Sequence, residues 1–165
     1  MKKCWMISAA VSAVLWAGCI FSGTPLKFEQ FTAELPESSA QLDYKIGAVS
    51  NISGAGREFL VREPDSAVKT DRSRRWLNEP GVMLRSALSV ASGGTQGYLS
   101  AQIVRFEFSN QLKSLDGVIV FTLKKAEKQQ TVVCRESVPV EQGNYGGAAA
   151  ELFERCIKKV SGVKL

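Results

Sequence analysis

The residues that could carry chemistry in this chain are four cysteines and scattered serines, lysines and carboxylates, because the 165-residue sequence contains no histidine. Without an imidazole, neither a Ser-His nor a Cys-His catalytic pair can form, and metal sites that use histidine are excluded as well. The cysteines stand at positions 4, 19, 134 and 156. Their available chemistry is acylation, disulfide formation, or burial as small apolar side chains.

Short catalytic motifs are weak throughout the sequence. Residues 66–69 (Ser-Ala-Val-Lys) have the Ser-x-x-Lys spacing of penicillin-recognising enzymes, but the segment has a strand pattern and no Lys-Thr-Gly follows it. Residues 54–56 (Gly-Ala-Gly) lack the Gly-Lys-Ser/Thr ending of a phosphate-binding loop and predict a turn. No spacing of carboxylates is typical of acid-base catalysis or of a calcium-binding loop. We therefore expect a protein that is not an enzyme and that holds no metal and no cofactor.

The first 18 residues have the layout of a secretory signal peptide. Lys2 and Lys3 give a positive start, residues 5–17 are apolar or small, and Cys19 follows the small pair Ala-Gly. The apolar run is shorter than the roughly 20 residues that a membrane-spanning helix needs. Export from the cytoplasm is the interpretation that this pattern favours.

Residues 15–19 (Leu-Trp-Ala-Gly-Cys) resemble a bacterial lipobox, in which the cysteine is acylated and becomes the new N-terminus. By that resemblance Cys19 is the lipidation site. Trp16 stands where the pattern usually has leucine, so a plain signal peptide that contains a cysteine is the alternative.

The net charge has to be counted after the signal peptide is removed. The whole chain has 21 Lys and Arg against 16 Asp and Glu, and the loss of Lys2 and Lys3 leaves 19 against 16, a balance of +3. That is an ordinary surface and gives no reason to expect a nucleic-acid partner. A local basic run, Arg72, Arg74 and Arg75, precedes Trp76. It allows two interpretations, a solvated loop around one buried indole or a contact surface for an acidic partner or lipid headgroups.

Hydropathy predicts the elements that must position these residues. Residues 19–41 are predicted to be a tether with one short strand around residues 28–35, and residues 42–165 to be a single domain. A phase slip between Ile103 and Val104 predicts a β-bulge. Residues 118–123 are apolar at every position but one and predict a central strand covered on both faces. The predicted strands of the domain cover residues 42–48, 59–61, 67–70, 99–108, 118–123 and 132–140.

Two helices are predicted between and after these strands. The first begins at Asn78 as N-cap with Pro80 in the first turn, and apolar residues recur at helical spacing over residues 83–91. The second covers residues 144–160. Strands, a helix, strands and a second helix, with short connections, predict an α+β fold, a largely antiparallel sheet of about five or six strands with two main helices packed on it.

Cys134 and Cys156 fall on the core-facing sides of the last predicted strand and the second helix. In an oxidising compartment they could form a disulfide that closes a loop of about 22 residues and contributes on the order of 3 kcal/mol. Two buried thiols that act as small apolar side chains are the alternative. The sequence leaves both open.

Three motifs resemble those of one known family. Residues 75–80 (Arg-Trp-Leu-Asn-Glu-Pro), followed by residues 83–88 (Met-Leu-Arg-Ser-Ala-Leu), resemble the "RW-x-(D/E)-P" turn and the helix ending in "L-x-x-A-L" of the ABC-type transport auxiliary lipoprotein component family. Residues 58–62 (Glu-Phe-Leu-Val-Arg) resemble its "L-V-x-R" strand. Residues 101–108 are similar to its strand "L-x-G-x-(I/L)-x-x-F-E". The resemblance covers residues 44–165.

The resemblance implies a non-enzymatic lipoprotein of an ABC/MCE-type lipid-transport system that links the inner-membrane transporter to the outer membrane. The implied partners are an MCE-domain protein and ABC transporter subunits, and the implied location is the periplasmic side of the outer membrane, with the lipid on Cys19 as anchor. A homo-oligomer is compatible with this role. Arg75, Trp76 and Pro80 form the signature turn, for which we expect a structural role with Trp76 packed under the first helix.

Two other functions fit the same sequence. One is a different envelope-assembly lipoprotein, such as a pilotin-like factor. The other is a lipid-carrying periplasmic protein, which would need an apolar cavity of a few hundred Å³ or more.

Overall fold

A computed structural model describes residues 28–33, 40–95 and 97–165. The predicted signal peptide, Cys19 and most of the predicted tether lie outside the described residues. Within the described part, seven strands form one sheet and two helices pack on it. The elements are β1 (Glu29–Phe31), β2 (Lys45–Asn51), β3 (Glu58–Arg62), β4 (Val68–Trp76), α1 (Pro80–Ala91), β5 (Tyr98–Ser109), β6 (Ser114–Lys125), β7 (Lys128–Pro139) and α2 (Tyr145–Ser161).

The sheet is mixed, with the strand order β1-β4-β3-β5-β6-β7. One side of β5 pairs with β2 in its first half and with β3 at its end. The pairs β3–β4, β5–β6 and β6–β7 are antiparallel and contain most of the paired residues, whereas β1–β4, β2–β5 and β3–β5 are parallel. The predicted α+β class with a largely antiparallel sheet is therefore confirmed, and the described sheet has seven strands rather than five or six.

Both helices pack on the same face of the sheet and contact each other, so the core lies on that face. Along β6, fully buried side chains alternate with half-buried ones, as expected for a strand with one covered face. The large side chains of the covered face each contribute about 1.5–3 kcal/mol when fully buried. The largest fully buried ones are Phe59, Phe106, Phe121, Phe153, Leu42, Leu84, Leu88, Leu99, Ile103, Leu115, Ile119 and Leu123.

The opposite face of the sheet is open. Val118 and Val120 of β6 lie on it and are half-buried, and Val133 of β7, the strand partner of Val120, is exposed. The prediction that residues 118–123 are covered on both faces is therefore wrong. The outward valines pack beside neighbouring strands, which is enough to favour β-branched residues without a second covering layer. The predicted bulge is confirmed, since the β5–β6 register shifts between Ile103 and Arg105.

The two helix starts differ in how well the sequence predicted them. The second helix was predicted to begin at residue 144, and Asn144 is the N-cap of α2; its side-chain oxygen accepts a hydrogen bond from the N–H of Gly147 at 2.9 Å. The N-cap of α1 is Glu79, so the prediction of Asn78 is wrong. The reason is Pro80, the first helical residue, which forces the residue before it into an extended conformation (ψ 144°).

The domain also extends further toward the N-terminus than residue 42. The short strand predicted within the tether is β1, and it pairs in parallel with the end of β4, while Phe31 packs against the core. Only nine residue steps separate Cys19 from Phe28. Such a connection spans at most about 30–32 Å when fully extended, so a lipid on Cys19 would hold the domain near its membrane.

Candidate functional site

An aromatic cluster fills the end of the core between β1, β3, β4 and the start of α2. The rings of Phe59 and Trp76 stack with centroids 5.2 Å apart, and Tyr145 meets both Phe59 and Phe31 edge-on at 4.9 Å. Such tilted and edge-on pairs contribute about 0.5–1.5 kcal/mol each beyond their buried area. The cluster consists of Phe31, Phe59, Trp76, Phe106, Phe108, Tyr145 and Phe153.

Arg74 closes this cluster on its open side. Its guanidinium carbon lies 4.8 Å from the ring centroid of Phe59, 5.1 Å from that of Tyr145 and 5.8 Å from that of Phe108. The guanidinium also donates hydrogen bonds to the Tyr145 hydroxyl and, through Nε at 2.8 Å, to Asp71. All these partners belong to the same domain. The Arg74 guanidinium therefore holds β4 against α2 through its hydrogen bonds and ring contacts.

Asp71 is held ionised beside Arg74. Burial works to raise the pKa of this carboxyl, but the Ser73 hydroxyl and N–H donate to it at 2.6 and 2.7 Å, and the Arg74 guanidinium adds its charge. The hydrogen bonds and the charge outweigh burial, and the pKa of Asp71 is lowered. Asp71 is therefore ionised at neutral pH.

The predicted signature turn follows directly after Arg74. Trp76 is 2% exposed within the aromatic cluster, and Pro80 is buried as the first residue of α1. Arg75 points the other way and is exposed, with its guanidinium carbon 4.4 Å from the centroid of the Phe28 ring. The structure thus divides the turn into a packed part, Trp76 and Pro80, and an outward part, Arg75.

A groove of about 750 Å³ runs beside the cluster where β1 meets the start of α2. Phe28, Ser73, Arg74 and Tyr145 are among its lining residues. It is open to solvent and bordered by polar as well as aromatic groups, unlike the closed apolar cavity that a lipid carrier needs.

A second charged group lies on the open face of the sheet. Glu107 of β5 is only 5% exposed, and the Arg62 guanidinium donates to its two oxygens at 2.5 and 3.1 Å. Arg105 contributes a longer contact at 3.4 Å. The hydrogen bond to Glu107 raises the pKa of Arg62 above its usual value. The parallel pairing of β3 with β5 is short, and this bidentate pair adds a side-chain connection between the two strands.

Sequence reasoning missed both arginine sites. For Arg74 a signal was present but not used. Arg74 and Trp76 are two residues apart in one strand and therefore share a face, which would have placed Arg74 beside the buried indole rather than in solvent. Arg62 and Glu107 carried no such signal, because they lie on different strands and are 45 residues apart.

Cys134 of β7 and Cys156 of α2 are joined by a disulfide, with their Cα atoms 5.6 Å apart and both side chains fully buried. The bond ties the last helix to the edge strand β7. Cys19 lies outside the described residues.

The remaining motifs have structural roles. Ser66 sits in the β3–β4 turn with φ 68°, and Lys69 lies on β4, so the Ser-x-x-Lys spacing is not on a helix. Among residues 28–33, 40–95 and 97–165, no group of three or more His, Cys, Asp or Glu side chains could hold a metal ion. In that same part of the chain, neither helix has the length and apolar character to cross a membrane.

The fold is thus an α+β domain in which a mixed, seven-stranded sheet carries two helices on one face and an arginine-closed aromatic cluster at one end. No family model matches the chain, and no curated protein does.

Several solved structures are similar to this fold, among them the following two. One is an uncharacterized protein with a TM-score of 0.60 at 11% identity, over 82% of this chain and 95% of that chain. The other is protein XCC0632 from Xanthomonas campestris, described by the family model DUF330, with a TM-score of 0.57 at 13% identity, over 82% of this chain and 91% of that chain. At these identities the similarity establishes the fold alone.

Proposed function

We propose that this chain is a non-enzymatic lipoprotein component of an ABC/MCE-type lipid-transport system, anchored through Cys19 on the periplasmic side of the outer membrane. Its partners are an MCE-domain protein and ABC transporter subunits. In this role the domain works by contact, and its anchor places it between the transporter and the outer membrane.

The observation that carries the proposal is the convergence of the three motifs on which the resemblance rests. Arg62 ends the motif at residues 58–62 and pairs at 2.5 Å with Glu107 of the motif at residues 101–108. Trp76 of the turn motif lies 5.2 Å, ring to ring, from Phe106, which also belongs to residues 101–108. Segments that are far apart in sequence thus meet around residues 106 and 107. This supports the view that the motifs belong together as one packed unit rather than matching by chance.

The experiment that tests the proposal is affinity capture of the tagged full chain from cross-linked membranes, with the untagged chain as control. We expect an MCE-domain protein and an ATPase to be enriched. Capture of a secretin or of lipopolysaccharide machinery in their place would overturn the proposal.

Acylation is tested separately by incorporation of labelled palmitate. We expect label in the full chain and in the matched control Cys4→Ala, and none in Cys19→Ala. Equal labelling of Cys19→Ala would exclude Cys19 as the anchor.

A further inference from the structure

The basic run of β4 is not one surface, because the structure separates its members. Arg74 is half-buried against the aromatic cluster, and its guanidinium is engaged by Asp71 and Tyr145. Arg72 and Arg75 are exposed. The register between β3 and β4 jumps between Glu58 and Phe59, so Arg72 lies in a segment of β4 that bulges away from β3.

Exposed basic and apolar groups collect around this bulge and form what we call the β1–β4 corner: Phe28, Arg57, Arg72, Arg75 and Leu77. Phe28 and Leu77 are 37% and 46% exposed. Arg57 is adjacent because its carbonyl accepts the N–H of Trp76 at 2.9 Å, and the Leu77 N–H donates to Phe31 at 2.7 Å. The strand register places the acidic residue Glu58 opposite Arg75, so we assign the positive charge of the corner chiefly to Arg57 and Arg72.

The chain enters the domain at this same corner. Phe28 is nine residue steps from Cys19, a maximum of about 30–32 Å. A lipid on Cys19 would therefore keep the β1–β4 corner closer to the membrane than the opposite edge of the sheet, where β7 lies.

We propose that the β1–β4 corner rests on the anionic headgroups of the membrane that holds the lipid anchor. This inference rests on the proposed lipoprotein function. Arginines are suited to phosphate because their guanidinium donates two parallel hydrogen bonds, and exposed aromatic and leucine side chains settle at the headgroup level. Charge complementarity and the chain's entry point thus indicate the same occupant, a phospholipid surface.

The contact is measured with a tryptophan reporter. The full chain carrying Leu77→Trp is mixed with vesicles of brominated phosphatidylcholine, alone or with phosphatidylglycerol, and the fluorescence in excess of the unsubstituted chain is recorded. We expect quenching that increases with phosphatidylglycerol. The reporter Val90→Trp, on an exposed position of α1, should not respond to it.

Charge variants identify the residues responsible. In the Leu77→Trp background, Arg57→Gln/Arg72→Gln should lower the contact equilibrium constant in anionic vesicles by roughly 25-fold, about fivefold for each basic residue at such a surface. The control Lys128→Gln/Lys158→Gln removes the same charge from exposed positions at the β7 side and should leave the constant unchanged.

Two results would overturn the proposed lipid contact of the corner. One is quenching that does not depend on phosphatidylglycerol, as expected if the corner binds a protein partner instead. The other is an equal loss of the contact equilibrium constant in the control pair, as unspecific charge attraction would give. The palmitate label is read on the same protein. A chain without label that still shows quenching dependent on phosphatidylglycerol would refute the proposed anchor and leave the corner standing. A labelled chain whose quenching does not depend on phosphatidylglycerol would support the anchor and refute the lipid contact of the corner.

Discussion

Two arginines of this domain are internal structural groups rather than free ligands. Arg62 and Arg74 each meet a carboxylate, Glu107 and Asp71. The Arg62–Glu107 pair joins β3 to β5, whereas the Arg74–Asp71 pair lies within β4 beside the aromatic cluster. A buried carboxylate is tolerated only when its charge is matched and its oxygens are hydrogen-bonded. Removal of one partner of either pair is therefore expected to lower the free energy of unfolding, because the charge of the other partner is left unmatched.

Replacement of Glu107 tests how much the Arg62–Glu107 pair on the open face of the sheet contributes to stability. We expect Glu107→Leu to lower the free energy of unfolding by about 1–3 kcal/mol, because Arg62 is left without its partner while remaining partly hydrated. The double variant Arg62→Met/Glu107→Leu should recover part of that loss. Urea unfolding of the purified chain measures both. Glu151→Gln, which breaks the exposed Arg155–Glu151 pair, is the control and should cost less than about 0.5 kcal/mol.

Asp71 should make one end of the domain sensitive to acid. Its pKa is lowered in the folded chain, so its contribution to stability is present above the unfolded value, about 3.8, and is lost as the pH falls through the folded value. We expect Asp71→Asn to be less stable than the parent at pH 7 and the difference to narrow below about pH 4. Urea midpoints at several pH values measure this. A difference that stays constant down to pH 2 would contradict it.

At the level of elements, the sequence predicted what local patterns determine and missed what pairing at a distance determines. The bulge near Val104 and the start of the second helix near Asn144 follow from residues next to each other in the chain, and both were predicted. The short strand β1 was predicted within residues 28–35, but its parallel pairing with the edge of β4 was not. The length of β4 was underestimated because its exposed arginines hide the alternation.

The aromatic end of the core was likewise only half predictable. Trp76 was expected to be buried, but its neighbours Phe31 and Phe59 come from strands whose order no single sequence reveals. The pairing of β4 with β1 on one side and with β3 on the other brings these residues together.

Docking of β1 depends on one close approach. A Cβ on Gly146, in the first turn of α2, would lie 2.3 Å from the carbonyl oxygen of Thr32, so this glycine lets the chain after β1 lie against α2. Helix propensity alone would favour alanine there by up to about 1 kcal/mol. We expect Gly146→Ala nevertheless to speed hydrogen exchange of residues 29–31 by roughly tenfold or more, since overpacking costs about 1–3 kcal/mol.

The matched control for this substitution is Gly93→Ala, where no atom lies within 4 Å of the added Cβ. It should leave exchange of residues 29–31 unchanged. Unaltered exchange in Gly146→Ala would show that β1 does not depend on the contact with α2.

The other edge of the sheet is tied covalently. The Cys134–Cys156 bond spans 22 residues, and in the chain-entropy model its loss should lower the free energy of unfolding by about 3 kcal/mol. We expect Cys134→Ala/Cys156→Ala to unfold at the same urea concentration as the reduced parent. Mass spectrometry of the exported, unreduced protein should show neither thiol alkylated. Alkylation of both would refute the bond.

Taken as a whole, the molecule is built asymmetrically about its sheet. The helices cover one face, the disulfide secures the β7 edge, and the chain arrives at the β1 edge through a short connection from Cys19. With the proposed lipid on Cys19, a short connection would keep the β1–β4 corner at a high effective concentration near the membrane surface.

Lengthening that connection tests whether the contact of the corner with lipid depends on the anchor. Inserting 20 Gly and Ser residues after Gly23 raises the span from nine steps to about 29, and an effective concentration that falls as the −3/2 power of length drops by roughly sixfold. We expect the quenching of Leu77→Trp in anionic vesicles to weaken accordingly, while palmitate labelling stays intact. A scrambled insertion of the same length after Leu165 is the control. Unchanged quenching would mean that the corner does not depend on the anchor for its contact with lipid, and that the two act independently.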